Sequence, residues 1–391
     1  MTQADFRVVI APDSFKESMT AIEAAQAMAR GVHQVYPDAE CVLKPLADGG
    51  EGTLATLTPT LSALPVMVDT RDALGRPVRA PLGLTPDGTA IIEAASVIGL
   101  AAIPVAQRRI DISSSLGLAD LVKAALDAGA RTLIIGLGGT ATCDGGAGLL
   151  AGLGVGLLDS DGRNLPPDPT GLARLHAVDS SRLDPRLADC TMVVASDVAN
   201  PLLGPDGAAA VFGPQKGATA QQIPWLEAGL ARLADAMAAA GMTELRDRPG
   251  AGAAGGLGAA LLILGAQLRP GVELIAEAIG LDAAIAGADL VLTGEGSMDA
   301  QTAWGKTPLG VLRIAAEHRV RVWAFAGRIR DRTVLAELGF DQVISVSDQT
   351  GSVTPAELSQ GPQRLQQAVS STLVRRPLTT AHATERRDRR S

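Results

Sequence analysis

Aromatic side chains are scarce in this chain: three Trp, one Tyr and five Phe make up 2% of its 391 residues, whereas hydrophobic residues make up 47%. Its cores must therefore pack mainly on Ala, Leu, Val and Ile. The same scarcity argues against an aromatic platform for stacking bases or sugars. Basic residues are not in excess either, because the net charge is −8. We therefore expect no nucleic-acid partner.

Cysteine and histidine are also sparse. The three cysteines, Cys41, Cys143 and Cys190, are widely spaced and form no CxxC pair, so neither a disulfide framework nor a zinc site is predicted. The four histidines lie outside every glycine-rich motif of the chain. That placement argues against a Ser-His-Asp catalytic set.

Long hydrophobic runs are missing. The most apolar window, residues 256–268, is shorter than the ~20 residues that a bilayer requires, and it is better explained as a core helix. The start of the chain has no basic segment followed by an apolar stretch, so we expect no signal peptide and a cytoplasmic, non-membrane protein.

Short apolar runs alternate with alanine-rich helical stretches, which predicts an α/β fold with mostly parallel sheets. A length well above ~150 residues favours two domains. Residues 69–95 contain strand-like pieces without a helix between them, and a second domain is predicted to start there. Residues 157–175 suggest a surface excursion, and residues 376–391 a disordered basic tail. The predicted strands cover residues 7–10, 132–136, 192–195, 289–292, 320–326 and 342–346, and the predicted helices cover 20–35, 117–128, 223–240, 307–318 and 354–373.

What the chain does contain is acidic residues set among glycines. Three such segments read PLADGGEGT (45–53), GLGGTATCDGG (136–146) and LTGEGSMDAQT (292–302). Glycine turns let backbone N–H groups approach a phosphate, and nearby carboxylates can hold the accompanying Mg²⁺. The pattern favours nucleotide-dependent phosphoryl chemistry.

The first strand ends at a candidate ligand site. Asp13, Ser14 and Lys16 follow it, and open α/β sheets gather ligands at the carboxyl ends of their strands. Lys16 could meet a phosphate there. Alternatively, Ser18 or Thr20 caps the next helix, Glu23 completes the capping box, and Lys16 is a solvated loop residue.

The segment at 45–53 has two glycines, Gly49 and Gly50, between two acids, Asp48 and Glu51. Both carboxylates can face one ligand after a sharp reversal. A helix N-terminus also favours a carboxylate, so Glu51 alone could be a first-turn acid. The tight spacing favours a functional site.

The segment at 136–146 resembles a phosphate cradle, with Gly138, Gly139, Thr140 and Asp144 after a strand. It is not a Walker A sequence, because no GK[ST] ends it. Ser113–Gly117 precedes a further helix, where Ser114 and Ser115 could bind an anion. Taken alone, that segment is better explained by one serine that caps the helix.

Three further polar residues follow the strand at 192–195. Asp197 and Asn200 could orient a hydroxyl or a metal, and Lys216 follows after another turn. An aspartate at a strand end also caps turns, and the residues alone leave both readings open.

The third acidic segment is predicted to run from strand through turn to helix. It places four polar residues within reach of one ligand: Glu295, Asp299, Gln301 and Lys306.

A formal GxGxxG occurs at residues 250–255, but a charged, proline-ended segment precedes it where the dinucleotide fingerprint needs a strand. We therefore reject the hypothesis that the chain is a dinucleotide-dependent oxidoreductase. Gly255 and Gly256 remain candidates for a glycine-lined binding surface at the start of a buried helix.

These segments, in this order over residues 6–370, resemble the bacterial glycerate kinase family of glucarate and glyoxylate metabolism. The resemblance implies ATP-dependent phosphorylation of D-glycerate, at the 2-hydroxyl or alternatively the 3-hydroxyl. It also implies a discontinuous Rossmann-like domain, residues 1–70 and 281–375, with a second α/β domain, residues 71–280, inserted. The resemblance implies an active site in the cleft of this two-domain fold. The chain would be a monomer or homodimer.

The resemblance also suggests roles for individual residues. Asp197 would orient the substrate hydroxyl, with Lys16 and Asp13 also catalytic. Asp48, Glu51 and Glu295 would hold Mg²⁺, and Lys16 and Lys216 would meet phosphate or the substrate carboxylate. The chain departs from the family at Cys143, where an asparagine is usual, and at SSSLGLADL (113–121), which replaces a glycine-rich sequence. A non-catalytic sensor of small acids or nucleotides is the alternative from another class.

Overall fold

The fold is that of a computed structural model, which describes residues 6–299, 307–347 and 358–378. It forms two compact units. The first unit combines the chain up to Asp48 with the chain from Val272 onward, and the second is Gly49–Gly271. The first is thus built from two separate segments of the sequence.

The strands, in chain order, are β1 Arg7–Ile10, β2 Glu40–Leu43, β3 Leu64–Arg71, β4 Pro77–Leu84, β5 Thr89–Glu93, β6 Thr132–Gly136, β7 Gly156–Leu158, β8 Ala177–Asp179, β9 Thr191–Ala195, β10 Gln267–Arg269, β11 Leu290–Met298, β12 Val322–Ile329 and β13 Gln342–Ser345. The α-helices are α1 Ala21–His33, α2 Thr53–Thr60, α3 Ala95–Ile98, α4 Leu116–Asp127, α5 Ala147–Gly152, α6 Pro169–Leu172, α7 Ala208–Phe212, α8 Gln222–Ala239, α9 Ala253–Ile263, α10 Gly271–Ala278, α11 Leu281–Ile285, α12 Thr307–Glu317, α13 Arg332–Glu337 and α14 Gly361–Arg375.

The first unit is built on a parallel sheet of five strands in the order β13-β12-β11-β1-β2. Buried side chains such as Ile10, Met28 and Phe325 form the core on one face of this sheet. There α1 and α14 pack closely. The absence of a side chain at Gly31 makes this possible, because a side chain at this position would have no room against Val369. The predicted capping box at Thr20 and Glu23 is confirmed at the start of α1.

All strands of this sheet are parallel, but the side on which the chain adds successive strands changes between β1 and β11. From β1 the chain crosses to β2 on one side, whereas from β11 it proceeds to β12 and β13 on the other. In open α/β sheets ligands bind at such a switch point, beyond the carboxyl ends of the strands. The topology therefore marks the loops after β1 and β11 as the place to look for a site.

The second unit is built on a six-stranded sheet in the order β10-β9-β6-β5-β4-β3. Strands β10, β9, β6 and β5 run parallel, and β4 and β3 complete the sheet antiparallel. The predicted helix-free strand region is confirmed as the meander of β3, β4 and β5. The predicted excursion at residues 157–175 contains α6 and part of the small sheet of β7 and β8.

Two boundaries differ from the sequence predictions. The first unit ends at Asp48 and not at residue 70, because α2 packs on β4 and β5 and β3 pairs with β4. The second unit ends at Gly271 and not at residue 280.

The segment predicted as a turn after residue 292 is instead the continuation of β11 to Met298, paired with β12 as far as Ile329. The glycines of this segment resemble those of a turn but serve packing. Gly294 is needed because the carbonyl of Phe325 lies too close to admit a side chain there.

The window at 256–268 is largely helical as expected: α9 ends at Ile263 and its residues are mostly buried. No helix in the described ranges combines the length and hydrophobicity required to cross a bilayer.

Candidate active site

A cavity of about 480 Å³ lies at the switch point of the first unit. It opens beyond the carboxyl ends of β1, β11 and β12, where the sequence places polar residues. Four of the predicted site residues line it from the part of the unit that ends at Asp48, namely Asp13, Ser14, Lys16 and Asp48. Glu295 lines it from β11. The structure thus brings together residues that are far apart in the sequence.

Basic residues that the sequence analysis did not single out also line this cavity. Arg328 lies near the end of β12, Arg330 follows that strand directly, and Arg364 belongs to α14. The sequence AGRIR (326–330) offered a signal, since its arginines come at the end of a buried strand. Together with Lys16, these side chains give the cavity the cationic groups that a polyphosphate requires.

The loop after β1 folds back on itself at the cavity. The N–H of Phe15 donates to the carbonyl of Met19 at 2.9 Å, and the N–H of Met19 donates back at 3.0 Å. Between them Glu17 has a φ of 67°, which is uncommon for a residue other than glycine. Lys16 lies exposed in this tight loop, so its ammonium group stands at the cavity wall.

Glycines in β11 allow this loop to approach the sheet. A side chain at Gly296 would meet the backbone nitrogen of Lys16 at 3.1 Å, and one at Gly294 would meet the ring of Phe15 at 3.3 Å. The glycines of the third acidic segment therefore provide close backbone packing and not a turn.

The carboxyl group of Asp13 in this cavity has a raised pKa. Burial raises its pKa to about 6, and the negative charge of Asp48 adds to the effect. Its carboxylate accepts hydrogen bonds from Thr307 Oγ1 and from the N–H of Ser14, each at 2.6 Å, which oppose the shift. Two like charges held this close provide an environment that favours a cation.

The oxygen donors of this cavity suit a hard divalent cation. Asp13, Asp48 and Glu295 line it together. Within residues 6–299, 307–347 and 358–378, no group of three or more His, Cys, Asp or Glu has the arrangement of a complete metal site. Mg²⁺ needs only one or two carboxylates when phosphate oxygens and water complete its shell, so the residues present fit it.

In the second unit, the segment 136–146, here called the glycine turn, packs against residues 49–52. The N–H of Gly138 donates to the carbonyl of Gly49 at 3.1 Å, and a side chain at Gly138 would meet the Cα of Gly50 at 2.5 Å. The side chain of Glu51 lies directly beside Gly139, whose Cβ would be 3.5 Å from its Oε1. The two glycine-rich segments therefore form one surface at the end of β6.

Glu93, at the end of β5, is a residue of this surface that the sequence analysis missed. Its Oε2 accepts hydrogen bonds from the N–H groups of Gly52 at 3.1 Å and Leu54 at 3.0 Å, which hold the start of α2. Burial raises its pKa, and the charge of Glu51 contributes to the shift. The only sequence signal was an acid at the end of an apolar strand.

Asp144 and the serines before α4 are engaged inside the fold. Asp144 is fully buried and accepts from the N–H and Oγ of Ser115 and from the N–H groups of Gly146 and Gly148. The Oγ of Ser114 donates to the carbonyl of Pro167 at 2.5 Å. These contacts give Asp144, Ser114 and Ser115 a structural role, since every interaction found for them holds the starts of α4 and α5 in place.

Gly255 and Gly256 also have packing roles. Both have positive φ at the start of α9, and a side chain at Gly255 would meet the carbonyl oxygen of Thr142 at 2.0 Å. One at Gly256 would meet the Cα of Gly145 at 2.7 Å. Gly255, the last glycine of the formal GxGxxG, and its neighbour Gly256 therefore let α9 approach the glycine turn.

Lys216 is buried, although the sequence suggested contact with a ligand. Its Nζ donates to the carbonyl of Thr142 at 2.7 Å and to Thr140 Oγ1 at 3.3 Å. Only 3% of the residue is exposed, and burial lowers its pKa to about 8. It therefore contacts the glycine turn from its interior side.

Cys143, the departure from the family pattern, is 1% exposed, and burial raises the pKa of its thiol to about 12. It is an inert core thiol at neutral pH.

Asp197 lies exposed two residues beyond β9, as predicted from the end of an apolar strand. Its Oδ1 accepts from the N–H of Gly271 at 2.8 Å. Asn200 Nδ2 donates to the carbonyl of Asp206 at 2.8 Å. Asp299 follows β11 directly and is half-buried. The predicted ligand contacts of Gln301 and Lys306 fall outside the described residues.

Comparison with known proteins resolves the identity of the family. The sequence profile described as "Glycerate kinase family" matches residues 8–375. The chain belongs to the glycerate kinase family. It is 46% identical to a glycerate kinase of Bacillus subtilis (strain 168), with 87% of this chain and 90% of that protein covered. It is 42% identical to the glycerate 2-kinase of Escherichia coli (strain K12), with 90% and 93% covered.

A solved structure supports the same assignment. The crystal structure described as that of a glycerate kinase 2 of Salmonella typhimurium LT2 matches with a TM-score of 0.83 and 40% identity, covering 99% of this chain and 100% of that one. The predicted α/β fold with parallel sheets is confirmed. The chain is thus a kinase of the glycerate kinase family, and this family implies ATP as co-substrate and glycerate as acceptor.

Proposed function

We propose that this glycerate kinase transfers the γ-phosphoryl group of ATP to the 2-hydroxyl of D-glycerate and forms 2-phosphoglycerate in organic-acid catabolism. The relative from Escherichia coli, similar over 90% of the chain, carries the name glycerate 2-kinase. The structural observation behind the proposal is the cavity at the switch point of the first unit, where acids and cations of distant segments meet.

We assign the nucleotide to this cavity. Its volume of about 480 Å³ falls within the range of small-molecule sites. Lys16, Arg328 and Arg330 line it and would neutralise phosphate charge, which phosphoryl transfer requires more than covalent chemistry. Its place beyond the strand ends agrees with where parallel sheets bind nucleotides.

Mg²⁺ would be held by Asp48 and Glu295, whose carboxylates line the same cavity, next to Asp13. When bound, the ion would neutralise charge on the transferring phosphoryl group. Glu51, the third predicted metal ligand, belongs to the second unit and lies beside Gly139. Its predicted role as a metal ligand stays a prediction.

Asp197 is proposed to orient the acceptor hydroxyl and receive its proton. It is exposed, it follows a parallel strand, and the N–H of Gly271 fixes one of its oxygens at 2.8 Å. Such a hydrogen bond orients the carboxylate, and a carboxylate can act as a proton acceptor. We place the enzyme in the cytoplasm, where ATP is supplied, as a monomer or homodimer.

The test is phosphorus NMR of the product formed from ATP, Mg²⁺ and D-glycerate. Carbon 2 of glycerate carries one hydrogen and carbon 3 carries two, so the proton-coupled signal is a doublet for the 2-phosphate and a triplet for the 3-phosphate. We expect the doublet. A triplet would establish the 3-hydroxyl as the acceptor, and ATP binding without any phosphorylated product would support a sensor.

A further inference from the structure

The ammonium group of Lys216 is buried, and no carboxylate of residues 6–299, 307–347 or 358–378 is bonded to it. Its two hydrogen-bond partners, the carbonyl of Thr142 and the hydroxyl of Thr140, are both neutral. Asp144, an acid that acts electrostatically on Lys216, already accepts four hydrogen bonds from Ser115, Gly146 and Gly148. A buried cation with such partners is costly to the folded state.

Both partners of Lys216 belong to the glycine turn, and the exposed part of that turn is its tip. Gly139 is exposed and Gly138 is half-buried, whereas Thr140 and Thr142 are at most 3% exposed. Across the described part of the chain, no acceptor lies within hydrogen-bond distance of the N–H of Gly139. The buried hydroxyl of Thr142 likewise finds no partner there. The turn therefore offers a donor at its surface and a positive charge beneath it, with the Glu51 side chain beside Gly139.

We propose that Lys216 is a positioning residue, whose buried charge acts through the glycine turn on an oxyanion bound at the tip, Gly138–Gly139. The oxyanion is the carboxylate of glycerate or a phosphate group. Lys216 does not touch it. This inference rests on the proposed kinase function and changes the role expected of Lys216, which the sequence suggested as a direct ligand contact.

Charge under a ligand-binding turn is effective because Lys216 and both of its partners are buried. In a buried environment, a cation attracts an anion at several ångströms far more strongly than it would in water. The titratable groups that act on Lys216 are Cys143 and Asp144 of the turn. Glu227 of α8 acts on Cys143 in turn. The charge is present below pH about 8, where burial sets the pKa of Lys216.

Two substitutions separate charge from hydrogen bonding. Lys216→Gln keeps a donor for the carbonyl of Thr142 and removes the charge, and Lys216→Met removes both. We expect either variant to raise the KM of glycerate or of ATP at least tenfold at pH 7, and the substrate affected identifies the oxyanion. Lys123→Met is the matched control, since Lys123 is an exposed lysine of the same unit, and its kinetic constants should not change.

Three results would overturn the inference. One is unchanged KM values in both Lys216 variants, and another is wild-type constants in Lys216→Gln alone, since the hydrogen bond and not the charge would then suffice. If neither variant folds, the wild-type pH profile decides: kcat/KM must fall above pH about 8, as the ammonium loses its proton, and a flat profile to pH 9.5 contradicts the proposal. The kinase assignment is unaffected by these outcomes, because wild-type turnover is measured in the same experiments.

Discussion

At the scale of single residues, the site residues divide according to whether they are fully buried or line a cavity or the surface. Asp144 makes four internal hydrogen bonds and is fully buried. Asp13, Asp48 and Lys16 instead line a cavity. Asp197 is exposed at a strand end. Buried and fully bonded residues support the fold, whereas residues that line a cavity are those available to substrates.

Asp197→Asn should lower kcat by about 10²–10⁴-fold with the fold intact, because the amide cannot accept the proton of the substrate hydroxyl. The asparagine oxygen can still accept from the N–H of Gly271, so the local structure should persist. Steady-state kinetics and circular dichroism together make the test. Near-normal turnover of the variant would reject the assignment.

Lys216 makes the stability of the protein depend on pH. Its pKa is about 8 in the folded chain against 10.5 for an unperturbed lysine, so above pH 8 the unfolded chain binds more protons. The free energy of unfolding contributed by this group therefore rises with pH between these values, by about 2 kcal/mol up to pH 9.5.

The measurement is urea unfolding of the wild type and of Lys216→Met from pH 7.5 upward. The stability of the wild type relative to the variant should increase with pH, because groups common to both proteins cancel. A constant difference over this range would show that the pKa of Lys216 is not lowered in the folded protein.

At the scale of elements, short helices begin at shared polar centres. Asp144 holds the starts of α4 and α5 together, and Glu93 holds the start of α2. Glycines then let these elements approach one another closely, as Gly255 does against Thr142. The same residue types that suggest phosphate binding in a sequence therefore also serve packing.

Asp144→Ala should lower the free energy of unfolding by about 3 kcal/mol or more, since several buried donors lose their acceptor. Asp161→Ala is the control, because Asp161 is exposed and paired only with Arg163 at the surface. The control should change stability by no more than about 0.5 kcal/mol. Equal urea midpoints for the two variants would contradict a structural role for Asp144.

The sequence predicted most of the regular elements, because buried strands and amphipathic helices have clear periodicity. Strands β1 and β6 begin and end at the predicted residues. It did not predict that residues 293–298 continue β11, since glycines that admit a neighbouring backbone look like glycines of a turn. Burial of Lys216 and the role of Glu93 depend on contacts between distant segments, which no local pattern encodes.

At the scale of the whole molecule, the first unit depends on strands from both ends of the sequence. β1 pairs with β2 on one side and with β11 on the other, so the switch point exists only when both segments are present. The residues that line its cavity come from the loop after β1, from Asp48 beyond β2, from β11 and β12 themselves and from α14. This arrangement is the physical basis for assigning ATP to the first unit.

Calorimetric titration of ATP and Mg²⁺ into the wild type, Lys16→Ala and the control Lys123→Ala tests that assignment most directly. Lys16 is exposed at the cavity, and removing its charge should weaken ATP binding at least tenfold while the control binds as the wild type does. If Lys16→Ala binds ATP with the affinity of the wild type, the nucleotide does not place its phosphates in this cavity.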